Sequence, residues 1–224
     1  ARIKCVNNLS SIGKATLGFS QENGGRTPWN LTPSLNTAHY GSNSARDVSA
    51  IFGLRAMKSE VQTAKILVSP CDAAFTADNE VLQTGWSTVG TKIPGPGAPI
   101  VAGRTADARK IPHTPTALKN GISYIFCRGG DMQRPATVVS MTRNLSGGDV
   151  SANNVNWSGA DETNIGVYAM AGLNKSQGQL VCADGSAKQS TDADLGTNGK
   201  VVKGHINARG GTSPLGRSNT TVIR

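Results

Sequence analysis

Aromatic side chains are scarce in this chain, only 4 % of 224 residues, and none interleaves the basic residues near its end, so the stacking platforms of single-strand nucleic-acid binders are missing. Long apolar runs are missing as well: no stretch reaches the ~18 residues that a membrane-crossing helix needs. Histidine occurs only as His39, His113 and His205, each in a Gly-, Asn- or Pro-rich context and none spaced from a cysteine as zinc ligands are. All three read as surface residues. There is no Gly-x-Ser-x-Gly elbow, no glycine loop of the phosphate-cradling kind and no His-Glu-x-x-His, so catalysis has no visible address. Neither an enzymatic activity nor a small-molecule substrate is expected.

Turn chemistry is abundant instead. With 37 % hydrophobic and 17 % charged residues the chain is too apolar for the disordered class, and its length fits a single domain over residues 1–224. The 27 glycines imply short strands and long connections. From Arg2 to Glu22 the positions Cys5, Leu9, Ile12, Thr16 and Phe19 recur at three- and four-residue steps, the stripe of a helix with one buried face. Gly24 and Gly25 end it, and Trp29 is expected to anchor the following loop. A second helix is expected from Ala45 to about Lys58 with Val48, Ile51, Phe52 and Met57 on one face, weakened by Gly53. Ile66-Leu67-Val68 reads as a short strand. Residues 73–118 are dense in Pro and Gly and read as a long variable loop region. Ile122–Cys127 and Thr137–Thr142 read as strands, and Gln179–Ala183 with Ser186–Ser190 as a hairpin about Asp184-Gly185. The fold class expected is therefore α+β: a helical spine over residues 1–25, packed on an antiparallel sheet of about four strands drawn from 121–195.

Four cysteines, Cys5, Cys71, Cys127 and Cys182, allow three disulfide pairings or none; Cys127 with Cys182 is the favoured pair, since both fall in expected strands. Asp184, Asp192 and Asp194 are the only candidates for a cation such as calcium, though their spacing is not that of a calcium-binding loop and their types suit turns and caps equally. Asp161-Glu162 would need opposing carboxylates across a cleft to cleave a glycoside. The net charge of +9 is uneven: no acid follows Asp194, while Lys200, Lys203, Arg209, Arg217 and Arg224 do. Residues 196–224 thus read as a solvated basic tail, with Lys200, Lys203, Arg209 and Arg217 as candidate contacts for a polyanion.

The opening Cys5-Val6-Asn7-Asn8-Leu9-Ser10-Ser11-Ile12-Gly13 resembles the segment that follows the membrane helix in bacterial type IV pilin-like and type II secretion pseudopilin-like proteins, notably of Planctomycetes and Verrucomicrobia. Ser69-Pro70-Cys71-Asp72 is similar to that family's cysteine-proline-serine-aspartate turn in scrambled order, and Asp184-Gly185 to its late Asp-Gly hairpin. Asn174 stands where the family often has a histidine, ten residues before Asp184, so no role of that histidine carries over. The resemblance covers residues 1–25 and 121–195. It implies a head domain whose first helix continues, upstream of Ala1, into an apolar helix held in the inner membrane before assembly. It also implies a homo-oligomeric filament at the cell surface or in the periplasm, with Leu9, Ile12 and Phe19 as the packing face of the spine. A DNA- or polysaccharide-binding pilin and a secreted carbohydrate-active domain, for which Trp29, Trp86 and Trp157 would supply stacking, are the rival readings.

Overall fold

The computed structural model describes residues 1–41, 47–61, 64–72, 122–162, 169–170, 172–212 and 219–224. The expected loop region at 73–118, with Trp86 and His113, lies outside the described residues, as does Arg217.

Helix α1 runs from Arg2 to Glu22. Cys5, Leu9, Ile12 and Thr16 are completely buried and Phe19 nearly so, which is the expected stripe; Thr16 satisfies its own hydroxyl by donating to the Ile12 carbonyl at 2.9 Å. The helix lies on the sheet and against α4 (Arg55–Val61). Gly13 makes the approach close, because a Cβ there would stand 3.0 Å from Val181 Cγ2. Helix α2, Pro33–Tyr40, has no counterpart among the expected elements. Thr32 caps it by accepting from the Leu35 N–H at 3.3 Å, Pro33 takes its first position and Gly41 closes it. The expected helix at 45–58 is two helices, α3 (Val48–Gly53) and α4, separated by Leu54 in an extended conformation. A glycine with little helical preference sits where the chain turns to bury Leu54. Ala64–Leu67 is a 3-10 turn rather than the strand expected at 66–68. That run is too short, and too soon followed by Pro70, to pair along its length.

The sheet is antiparallel throughout, ordered β4-β3-β2-β1-β5, with β1 Tyr124–Cys127, β2 Val138–Thr142, β3 Gly178–Cys182, β4 Ala187–Ser190 and β5 Val222–Ile223. The hairpin β3–β4 turns at Asp184-Gly185 as expected, Gly185 taking φ 83°. Strands β1 to β3 are buried at every position, so both faces of the sheet are covered. On one face Tyr124, Phe126, Val139 and Val181 meet α1, α3 and α4. On the other, Ile125, Cys127, Val138, Met141 and Leu180 meet Trp157, Leu195, Val201 and Val202. Val138 and Met141 share that second face although an odd number of residues apart, because the pairing of β2 with β3 slips between Val138 and Ser140. The protein is α+β, a helical spine on an antiparallel sheet.

The tail is not a solvated appendage. Lys200–Asn207 forms helix α5, which buries Val201, Val202 and His205, and Val222–Ile223 supplies the fifth strand beside β1. Alternation of Lys200 and Lys203 with buried Val201 and Val202 is the pattern of an amphipathic helix that ordinary charge counting obscures.

Candidate functional site

The densest polar constellation lies where the first turns of α1 meet the turn Ser69–Asp72. Cys5 and Cys71 are wholly buried with their sulfurs 3.1 Å apart, and Ser69 Oγ is 2.7 Å from Cys5 Sγ. Hydrogen bonds from Cys71 and then Ser69 stabilise the Cys5 thiolate and bring that thiol down to about 6. Cys71, which supplies one of those bonds and is buried, is held far above the usual thiol range. Met170 and Leu173 close the pocket around both sulfurs. One turn along α1, Asn8 donates to the Tyr124 hydroxyl at 3.1 Å, and burial raises that phenol.

The same turn is fixed from its other side by an ion pair. Arg143, at the end of β2, reaches Asp72 with Nε at 2.6 Å and Nη2 at 3.0 Å, a two-pronged bond, and Ser123 Oγ adds a third donor at 3.0 Å. Asp72 is entirely buried, so the full set of donors is what keeps its charge inside the fold. Cys5, Cys71 and Asp72 thus link α1, the 69–72 turn, the start of β1 and the end of β2. This arrangement orders structure.

A thiol and an imidazole also meet on the far side of the sheet. His205 is buried, contrary to the surface position expected of it, because it falls on the same inner face of α5 as Val201 and Val202. Its Nδ1 accepts from the Val138 N–H at 2.9 Å, which fixes the proton on Nε2, and Nε2 donates to the Asn219 carbonyl at 2.8 Å. Cys127 Sγ, 3.8 Å from Nε2, faces a donor and not a base. Burial pushes the Cys127 thiol up to about 12 and lowers the imidazole. The pair is therefore neutral and structural.

The expected disulfide between Cys127 and Cys182 does not fit this geometry. The two lie on β1 and β3 with β2 between them, a separation of about 10 Å at the usual strand spacing, beyond the reach of a bridge. The aspartates proposed for calcium do not converge either. Asp184 accepts from Ser186 N and Oγ within its turn, which lowers its carboxyl below the usual range. Asp192 accepts from Trp157 N at 2.7 Å, and Asp194 from Ser190 Oγ at 2.8 Å and Thr191 N at 3.2 Å. No group of three or more metal-ligating side chains occurs among the described residues. Asp161 and Glu162 serve their own loop, accepting from Lys175 N and Gly159 N.

Of the sugar-stacking candidates, Trp157 is buried and Trp29 packs on Phe126 at 4.8 Å between ring centres. Lys200 and Lys203, by contrast, stand exposed on one side of α5, with Arg209 exposed just beyond its end. His39 is exposed as expected, bonded to Asn23 Oδ1 at 2.7 Å. Among the described residues, no helix is long and apolar enough to cross a membrane. Compared with models of known families, with curated proteins and with solved structures, the chain matches none.

Proposed function

We propose that the protein is a structural subunit of the type IV pilin or secretion-pseudopilin kind, its head built on α1 and its work done by assembly rather than turnover. The observation that carries this reading is the division of α1 into two sides. Over its 21 residues, about 32 Å at the usual helical rise, one side is sealed on the sheet. The other presents Ile3, 74 % exposed, and Leu17, 39 % exposed, the large hydrophobic side chains left in solvent among the described residues. Ile3 and Leu17 return to nearly the same side of the helix after about four turns. Two apolar side chains on the solvent side of a long helix, with Asn7 and Lys14 exposed between them, give a subunit contact points for packing lengthwise against its neighbours. The segment resemblance at Cys5–Gly13 supports the same reading.

In this reading the spine continues upstream into an apolar helix that holds the subunit in the inner membrane until it joins a filament. The test is to express the whole gene product in a bacterium that processes prepilins, shear the cell surface and label the sheared material with antibody to this domain. Labelled filaments that thin or vanish with Ile3→Asp and Leu17→Asp carry the proposal. A monomer released after ordinary signal-peptide cleavage sinks it.

A second reading, that the head also holds DNA or an acidic polysaccharide, draws on the exposed Lys200, Lys203 and Arg209. Binding that falls steeply with salt, and less steeply after Lys200→Ala with Lys203→Ala, would mark phosphate contacts. Binding indifferent to either change would remove it.

A further inference from the structure

The thiols of Cys5 and Cys71 are 66 positions apart in sequence, yet their sulfurs lie 3.1 Å from each other, buried with Met170 and Leu173. Only about 1 Å of approach separates that distance from a disulfide bond. Both partners are held: Cys5 by α1, with its N–H bonded to the Ala1 carbonyl at 3.1 Å, and Cys71 by the Gly172 N–H on its carbonyl at 2.7 Å and by the Asp72–Arg143 pair beside it. We propose that Cys5 and Cys71 form an intramolecular disulfide in an oxidising compartment, a staple that fastens the first turns of α1 to the Ser69–Asp72 turn. Cys127 and Cys182 remain thiols, separated by β2. The inference stands whether or not the protein assembles into filaments.

The chemistry requires a small disulfide as oxidant, of the glutathione class. The Cys5 thiolate attacks one sulfur of that disulfide, forming a mixed disulfide and expelling one thiolate. Cys71 gives its proton to the expelled thiolate and attacks Cys5 Sγ, forming the intramolecular bond and expelling the second thiolate. Two protein thiols are oxidised and one disulfide is reduced to two thiols, the second of which takes up the Cys5 proton from solvent. The order of events follows from the site: Cys5 sits in the first turns of α1, whose N-terminus favours a thiolate, with Ser69 Oγ 2.7 Å from its sulfur, which makes Cys5 the attacking sulfur and Cys71 the resolving one. Because both are buried, the mixed disulfide forms before α1 docks or when its first turn lifts.

The decisive experiment maps thiols in the whole protein, purified without reductant from an oxidising compartment or incubated reduced with oxidised glutathione. After alkylation in denaturant and digestion, mass spectrometry should find the Cys5 peptide joined to the Cys71 peptide, with Cys127 and Cys182 alkylated. All four cysteines alkylated after glutathione treatment, a Cys127–Cys182 bridge, or an interchain bridge would each overturn the proposal. A second reading needs no variant to fold: urea unfolding with and without reductant. Closing a loop of this length should shift the folding equilibrium by about a thousandfold, so reduction should lower the urea midpoint, and coincident curves would show that no staple exists.

Discussion

The two faces of the sheet are sealed by different means. The face under α1 is closed by regular helices whose apolar side chains repeat with the helical period, Leu9, Ile12 and Phe19 against Tyr124, Phe126 and Val181. The opposite face is closed by irregular chain, one tryptophan and a short helix, and its fit depends on directed bonds: Trp157 Nε1 to Ser190 Oγ at 3.2 Å, Trp157 N to Asp192 Oδ1, and Val138 N to His205 Nδ1. The same strands thus face both a surface that needs only periodicity and one that needs specific partners. The first kind is readable from residue spacing. The second is known only when distant segments are placed together.

The contrast is sharpest at Trp157, the largest fully buried side chain among the described residues. Trp157→Ala should destabilise the fold by about 4 kcal/mol in urea denaturation, since it opens a ring-sized cavity and removes the indole N–H that Ser190 Oγ accepts; a loss below about 1 kcal/mol would mean that the irregular face collapses freely. On the helical face, Ile12→Ala should cost about 3 kcal/mol by the same measurement, and a cost equal to that of Trp157→Ala would erase the difference between the faces. Gly13→Leu probes the approach of α1 to β3. With 3.0 Å between a Cβ and Val181 the larger side chain should lift the helix and cost about 2 kcal/mol, seen as a lower midpoint and faster amide exchange along α1.

The smallest effect is one of pH. Burial lowers the His205 pKa in the folded state below its ordinary 6.5, so the unfolded chain takes up the proton first. The stability that neutral His205 contributes is complete above about 6.5 and is lost as the pH falls below it. Thermal unfolding between pH 7.5 and 5 should show a falling midpoint in the native protein. His205→Asn, which keeps an acceptor for the Val138 N–H without titrating, should flatten that slope. Equal slopes would place the acid sensitivity elsewhere.

The parts of the molecule that obey one local period were legible beforehand: α1 from its stripe, β3–β4 from Asp184-Gly185, and the strand at Tyr124–Cys127 from its branched and aromatic residues. Helix α2 carries a signal of its own, since Thr32-Pro33 opens it and Gly41 closes it. The tail is harder to read because Lys200 and Lys203 dominate a charge count, while the buried Val201, Val202 and His205 follow the helical period between them. The pairing of Cys5 with Cys71 has no signature in spacing. The Asp72–Arg143 pair is of the same kind, a contact between chain segments that only the folded topology brings together.

The borders of the sheet decide how copies of this protein can meet. On one side β4 ends the sheet with Lys188 exposed, and on the other β5 is two residues long. Among the described residues, a charged border and a stub offer no lengthy row of free backbone groups on which a neighbour's strand might be templated. Growth by strand addition, the route to cross-β aggregates, is thereby discouraged at both borders. Any ordered association is left to surfaces made of side chains.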